Sequence, residues 1–263
     1  MDVRQIVHDL RQVGGAWYIL FTLPSLAGMS RPVIDPTLTL QPGAADGEDS
    51  PLCNAFGGAR NNGISNAGLV YNKATFLLRF NVSSIPVSAL CTSATLTMTL
   101  TAKDVGTPQA CNIYSVGVAN TTWIEGTKNG TTADAGEPCW IAKQGDGAGG
   151  VLVAWAGSAG CKTSGTDYEA AALGNITVGA TDVAGTAYNT LLTAARIQGW
   201  FGAVNTNHGL AILNNDAGVS VSFATSDHAT ASYRPKLVVV YTLPGGNYPL
   251  DSAFVSAFRG PMS

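Results

Sequence analysis

The sequence predicts an all-β fold, a single sandwich of two sheets, and three observations point there. Charged residues make up only 12% of the chain, against about 25% in an average globular protein, while apolar residues reach 46%. The surface must therefore be covered by Thr, Ser, Asn and Gly, as in extracellular and virion proteins. The 31 glycines and 12 prolines leave few stretches able to run as uninterrupted helices. From Thr37 onward, short runs of β type alternate with turn clusters. At 263 residues the chain could hold one large sandwich with decorated ends or two small domains, and no linker cuts its body in two.

Taken in order, the turn-rich blocks QPGAADGEDS and GGARNNGISN bracket a weak strand at residues 51–56. Residues 74–82 (ATFLLRFNV) are continuously apolar, which predicts a strand buried on both faces. Residues 92–102 (TSATLTMTLTA) set Ala94, Leu96, Met98 and Leu100 against Ser and Thr, the two-residue period of a half-buried strand. Residues 112–119 continue the pattern. Trp123 and two long Gly/Ala/Thr-rich loops with Pro138, Trp140 and Trp155 follow, then weak strands at 175–178 and 180–183. Residues 189–201 (NTLLTAARIQGWF) are the helix candidate of the body, since Leu192, Ala195, Ile197, Trp200 and Phe201 cluster at helical spacing. Strands close the body at 209–213, 219–224 and 236–242, the last (KLVVVYT) reading as central. The expected core is Leu78, Phe80, Leu96, Met98, Leu210, Ile212, Leu237, Val239 and Tyr241.

Both ends lie outside this pattern, which divides the chain into an arm (1–36), a body (37–243) and a tail (244–263). The N-terminal stretch GGAWYILFTLPSLAGM resembles a signal h-region, but its n-region is near neutral and it has no clear A-x-A site. Pro24 breaks it, and it is too short for a comfortable membrane span. We read it as an arm or short helix that docks on a partner through Trp17, Tyr18, Ile19, Leu20 and Phe21, rather than as an uncleaved anchor. In the tail, Phe254 and Phe258 stand at helical spacing and would pack on the body or on a neighbour.

Composition and motifs exclude several function classes. Net charge is −3 and the 14 Lys and Arg residues are scattered, so sequence-independent nucleic-acid binding is not expected. The five cysteines form no CxxC pair and only three histidines exist, which argues against a structural zinc site. Cys91 with Cys111 and Cys139 with Cys161 could form local disulfides, each closing a loop of about twenty residues and contributing roughly 3 kcal/mol. The alternative is buried thiols. No G-x-S-x-G elbow is present, and His208 and His228 read as turn or surface residues. Glu125, Glu137, Asp167 and Glu169 could in principle assemble a glycosidase pair, but sequence gives no separation between them. The four glycosylation sequons, at Asn81, Asn120, Asn129 and Asn175, arise easily by chance in so Thr- and Asn-rich a chain. An enzyme is not expected.

Several phrases, in this order, carry a family likeness. The first is Thr39-Leu40-Gln41-Pro42-Gly43 with Asp46, Gly47 and Asp49. The most specific is Phe76-Leu77-Leu78-Arg79-Phe80-Asn81-Val82-Ser83-Ser84-Ile85-Pro86, followed by Ser93-Ala94-Thr95-Leu96. Then come Trp123-Ile124-Glu125-Gly126, Trp200 with Asn207-His208-Gly209-Leu210, and Phe223, Ser226 and Arg234-Pro235-Lys236-Leu237 through Tyr241. Over residues 37–242 the chain resembles the DNRLRE domain, a jelly-roll family appended to bacterial surface proteins and enzymes and similar to some carbohydrate-binding modules. Asn81 stands where that family usually has Asp. The resemblance implies a jelly-roll sandwich more securely than any function.

Such jelly rolls often hold one structural calcium, and Asp46, Glu48 and Asp49 in a Gly-containing turn could ligate it, the alternative being a solvated acidic turn. Arg79, within a buried-looking strand, should meet a carboxylate, with Glu125 or Asp49 as candidates. The expected role is a structural or adhesion component of a virion or extracellular surface assembly, a homo-oligomer held by its terminal segments to other protein subunits. The alternative is a secreted carbohydrate-binding module, with Trp123, Trp140 and Trp155 stacking on polysaccharide. Against it, loop tryptophans in a sandwich often plug the end of the core.

Overall fold

The computed structural model describes residues 36–243 except 55–56, 105, 203–206 and 215–218, together with the backbone of two N-terminal strands. Those two strands are β1 (Val7–Val13) and β2 (Ala16–Thr22), followed by β3 (Thr37–Leu40), β4 (Glu48–Cys53), β5 (Arg60–Asn61), β6 (Ala67–Val70) and β7 (Ala74–Arg79). Next are β8 (Leu90–Lys103), β9 (Gln109–Ser115), β10 (Thr131–Thr132), β11 (Gln144–Gly145), β12 (Val151–Val153), β13 (Gly174–Val178) and β14 (Ala187–Leu192). Helix α1 (Ala194–Gln198), β15 (Leu210–Leu213), β16 (Val221–Ala224) and β17 (Lys236–Thr242) complete the described chain.

Strands β1 and β2 pair antiparallel, with His8 opposite Phe21 and Gln12 opposite Trp17. They lie in a compact unit, Met1–Ile34, distinct from Asp35–Ser263. The segment expected to be an arm or short helix is thus a hairpin. The run AWYILFT is rich in aromatic and branched residues, which favour extended backbone over helix.

The larger unit is an antiparallel β-sandwich. One sheet has the order β13-β9-β15-β7-β4 and the other β3-β17-β8-β16-β6, with β14 also pairing to β8. From β6 to β9 successive strands change sheet each time. Cross-strand register brings Leu78 opposite Leu210 and Leu96 opposite Leu237. These residues join Phe76, Met98, Ile212 and Val239 in one buried cluster. Burying each such side chain contributes about 1.5–3 kcal/mol. Of the expected core only Tyr241 is half-buried, at the rim, with its ring 6.1 Å from that of Phe201.

Strand β7 is buried on both faces, as its continuous apolar run predicts. Phe76 and Leu78 point between the sheets, while Leu77 enters a second cluster with Leu52, Trp123, Trp140, Trp155 and Leu213. The long Gly/Ala/Thr-rich loops therefore form a layer over the outer face of the five-stranded sheet.

The helix expected at 189–201 is corrected to a strand followed by a single turn. Asn189 to Leu192 pair with Thr97 to Ala94 of β8, and only Ala194–Gln198 is helical. The helical spacing of Trp200 and Phe201 is satisfied instead by burial in the inter-sheet core, where tertiary pairing overrides local pattern. The expected strand at 180–183 is a turn in which Asp182 Oδ2 accepts from Gly179 N and from the Tyr188 hydroxyl, both at 2.6 Å.

The disulfide expectation is also corrected, because all five cysteines are thiols. Cys91 lies on β8 and Cys111 on β9, in opposite sheets. Cys139 sits among Ala133 and Ala142, whereas Cys161 belongs to the tryptophan cluster. A spacing of about twenty residues closes a favourable loop but does not bring two α-carbons within bonding distance.

The loop layer is fastened from inside by Asp167, which is fully buried. Its carboxylate accepts from Gly157 N (2.8 Å), Ser158 N (2.8 Å), Thr163 N (2.9 Å) and Asn120 Nδ2 (2.9 Å). Asp167→Ala would strand these donors and should lower unfolding free energy by about 3 kcal/mol in urea titration. A loss under about 1 kcal/mol would show that the layer does not depend on this anchor.

Candidate functional site

Strand alternation separates the two acids that open β4. Successive side chains point to opposite faces, so Glu48 and Asp49 cannot serve one site. Glu48 lies opposite Arg79 in the β4–β7 register, and Arg79 Nη1 donates to its Oε1 at 2.6 Å. Arg79 Nη2 donates to the carbonyls of Thr121 and Trp123, each at 3.3 Å, and the guanidinium sits 4.4 Å over the Trp123 ring. The acid that meets Arg79 is therefore Glu48, not Glu125 or Asp49.

Asp49 turns the other way, into a site built from three distant segments. It is 2% exposed, and its Oδ2 accepts from Ser226 N at 2.7 Å. Its own N–H points to Glu125 Oε1 at 3.4 Å, and Ser226 Oγ lies at the same distance from that oxygen. Asp227 completes a group of three carboxylates whose ligand atoms all lie within 4.8 Å of one another. Asp49 Oδ1 and Asp227 Oδ2 are buried and have no hydrogen-bond partner.

The walls of this site are held locally. Buried Asn61 donates from Nδ2 to the carbonyls of Glu125 (2.9 Å) and Pro138 (3.0 Å), and its Oδ1 accepts from Gly63 N and Lys128 N. Gly126 has φ +90°, and a Cβ there would fall 2.3 Å from Asn61 Nδ2. Glycine thus lets Asn61 grip the Glu125 loop. At Gly47 a Cβ would lie 2.2 Å from Ser226, so glycine also permits the approach that places Ser226 on Asp49.

Proximity and burial raise the carboxyls together. Burial pushes Asp49 up to about 7, with the charge of Asp227 adding to it. Burial and then the charge of Asp49 push Glu125 up to about 8. Asp227 is also raised by burial, while the nearby Arg234 charge offsets part of that.

Of the calcium ligands expected from sequence, the structure brings only Asp49 into this cluster. Glu48 is ion-paired, and Asp46 is exposed in the turn where Asp46 N and Gly47 N donate to the Gly43 carbonyl. Glu125 and Asp227 were not joined to it by sequence reasoning. The signal was scattered through the family-like phrases Trp123-Ile124-Glu125-Gly126 and Ser226, 76 or more residues from Asp49.

The aromatic platform of the alternative, carbohydrate-binding reading is corrected too. Trp123, Trp140 and Trp155 are 1%, 9% and 4% exposed, so they are core and not open faces. Trp123 Nε1 donates to the His208 carbonyl at 2.8 Å, and Trp155 Nε1 to that of Cys139 at 3.0 Å. Trp17, Tyr18, Ile19, Leu20 and Phe21 fall on β2, while Phe254 and Phe258 lie outside the described residues.

The other titratable candidates are engaged separately. Glu137 accepts from Thr127 N and Asp134 N, Asp167 holds its loop, and Glu169 pairs with Arg196. A groove of about 400 Å³ is lined by Tyr168, Glu169, Arg196, Trp200 and His208. Burial, then the Arg79 charge, lowers the His208 pKa. His228 stacks on Tyr233, ring centroids 5.1 Å apart.

No family model and no curated protein matches this chain. No helix among the described residues is long and apolar enough to cross a membrane.

The raised carboxyls set the pH response. Native Asp49 and Glu125 hold protons more tightly than in the unfolded chain, where they titrate near 3.8 and 4.5. Stability in chelator should therefore be fully present below those values and fall as pH rises through about 7 and 8. Thermal melts in chelator should give a higher Tm near pH 5 than near pH 8, a difference reduced in Asp49→Asn. Equal melting temperatures would sink this account.

Proposed function

We propose that this chain is a non-catalytic structural or adhesion component of a virion or extracellular surface assembly, attached to neighbouring subunits through its terminal segments. The observation that carries this reading is the hairpin β1–β2, a unit separate from the sandwich whose second strand is apolar at every position from Ala16 to Phe21. A two-stranded hairpin by itself is marginally stable in water, and an apolar strand such as β2 suits contact with a further surface. A second copy of the chain or another subunit of the assembly supplies that surface.

The sandwich itself favours a scaffold. Trp123, Trp140 and Trp155 are spent on the core, and Glu137, Asp167 and Glu169 are each bound into separate local structure. A surface made of Thr, Ser, Asn and Gly, with few charges, suits a protein packed among copies of itself.

Deletion of residues 1–36 tests this directly. The truncated protein should melt within a few degrees of the full chain but lose its oligomeric state in sedimentation. Unfolding on truncation would assign the hairpin to the sandwich's own core. Unchanged assembly would reject docking through the N-terminus, and the exposed strand β12, with Leu152 61% accessible, would become the next surface to mutate.

A further inference from the structure

We infer that Asp49, Glu125 and Asp227 bind one divalent cation of the calcium class, which staples together the start of β4, the loop after Trp123 and the connection between β16 and β17. The inference stands whatever the protein assembles with.

Three carboxylates share a space in which their ligand atoms are no more than 4.8 Å apart. A calcium ion bonds oxygen at about 2.3–2.6 Å, so two oxygens on opposite sides of it stand about 4.8 Å apart. Magnesium demands near-ideal octahedral geometry and usually keeps several of its waters, whereas calcium accepts irregular sets of carboxylate and hydroxyl oxygens, and zinc favours nitrogen and sulfur donors that the cluster lacks.

The second observation is the state of the oxygens. Asp49 is almost wholly buried, yet its Oδ1 accepts nothing, while its Oδ2 is held by Ser226 N at 2.7 Å. Asp227 Oδ2 is likewise buried without a partner. Native proteins rarely leave a buried carboxylate oxygen unmet, and a bound ion is one of the few groups that would satisfy two at once. Ser226 Oγ, beside Glu125 Oε1, is a further neutral oxygen at the same place.

Charge points the same way. Arg234 offsets part of the charge at Asp227, but its Nε donates to the His228 carbonyl at 2.9 Å. Arg79 is committed to Glu48 on the opposite face of β4. Three acids facing one another with so little counter-charge must take up protons or a cation. A dication answers the charge, and it ties Asp49 on β4 to the β16–β17 connection, where Ser226, 177 residues away in sequence, already meets Asp49, which makes it a structural tie.

The test uses the full chain, stripped with chelator and melted with CaCl2, MgCl2 or NaCl of matched ionic strength, alongside Asp49→Asn and Asp227→Asn. Folding of each variant is checked by circular dichroism in chelator. Calcium should raise the Tm saturably by about 5 °C, magnesium by less, and NaCl not at all. Terbium bound to the wild type should be displaced by calcium, and each folded variant should bind it at least about tenfold more weakly. If Asp49→Asn does not fold, Asp227→Asn in its more exposed loop decides. A Tm that calcium moves no further than NaCl does, or a calcium shift that Asp227→Asn leaves unchanged, overturns the site and leaves a proton-sharing carboxyl cluster in its place.

Discussion

Burial of β7 on both faces is the constraint on which the rest of this structure depends. A strand that reads ATFLLR has no face to offer to water, so the sheet around it must be covered twice. The six-stranded sheet covers the inner face, with Phe76 and Leu78 in the common core. Among the described residues the remaining sheets of this unit are the two-stranded β5–β10 and β11–β12 pairs, and loops cover the outer face. Loops seldom make good cover, because their backbone amides and carbonyls lose water when buried. Here buried polar side chains replace the water. Asp167 gathers the amides of Gly157, Ser158 and Thr163, Glu137 those of Thr127 and Asp134, and Asn61 the carbonyls of Glu125 and Pro138. Trp123, Trp140 and Trp155 then fill the apolar space above Leu77 and Leu213.

The same constraint shapes the carboxylate cluster. Arg79 ends β7 where the outer layer closes over it, and a guanidinium there needs an acid, stacking and carbonyls. Glu48, Trp123 and Thr121 supply them. Because β4 alternates, committing Glu48 to that side commits Asp49 to the other, where Glu125 and Asp227 converge. A slip of one residue in the β4–β7 register would exchange the two acids and undo both arrangements. The loop that carries Glu125 is held by Asn61, so the outer cover of the sheet and the cluster of acids share one support.

Much of the sandwich was legible along the chain. The alternation in TSATLTMTLTA and the continuous runs ATFLLRF and KLVVVYT mark strands whose faces need no partner to be named, since side-chain direction follows from the two-residue period alone. Residues 189–201 were misread because the apolar spacing of Leu192, Ile197, Trp200 and Phe201 fits a helix locally, while the exposed edge of β8 offered Asn189 to Leu192 a ladder of hydrogen bonds. That edge is invisible from within the segment. The N-terminal hairpin was missed for a related reason, since a short apolar run has no period that separates strand from helix.

Sequence by itself determined that the chain is all-β, which runs form its core and that acidic residues gather near the start of β4, because composition and period are local quantities. It also supplied three tryptophans whose environment it could not specify. Only the tertiary structure decided that those rings are core, that the cysteine pairs stay apart, and that Asp49 keeps company with Glu125 and Asp227 instead of Asp46 and Glu48. The physical reason is one of distance. Periodicity assigns a side chain to a face, but the residues it meets there arrive from segments 76 to 177 positions away, and only sheet register and loop closure bring them together.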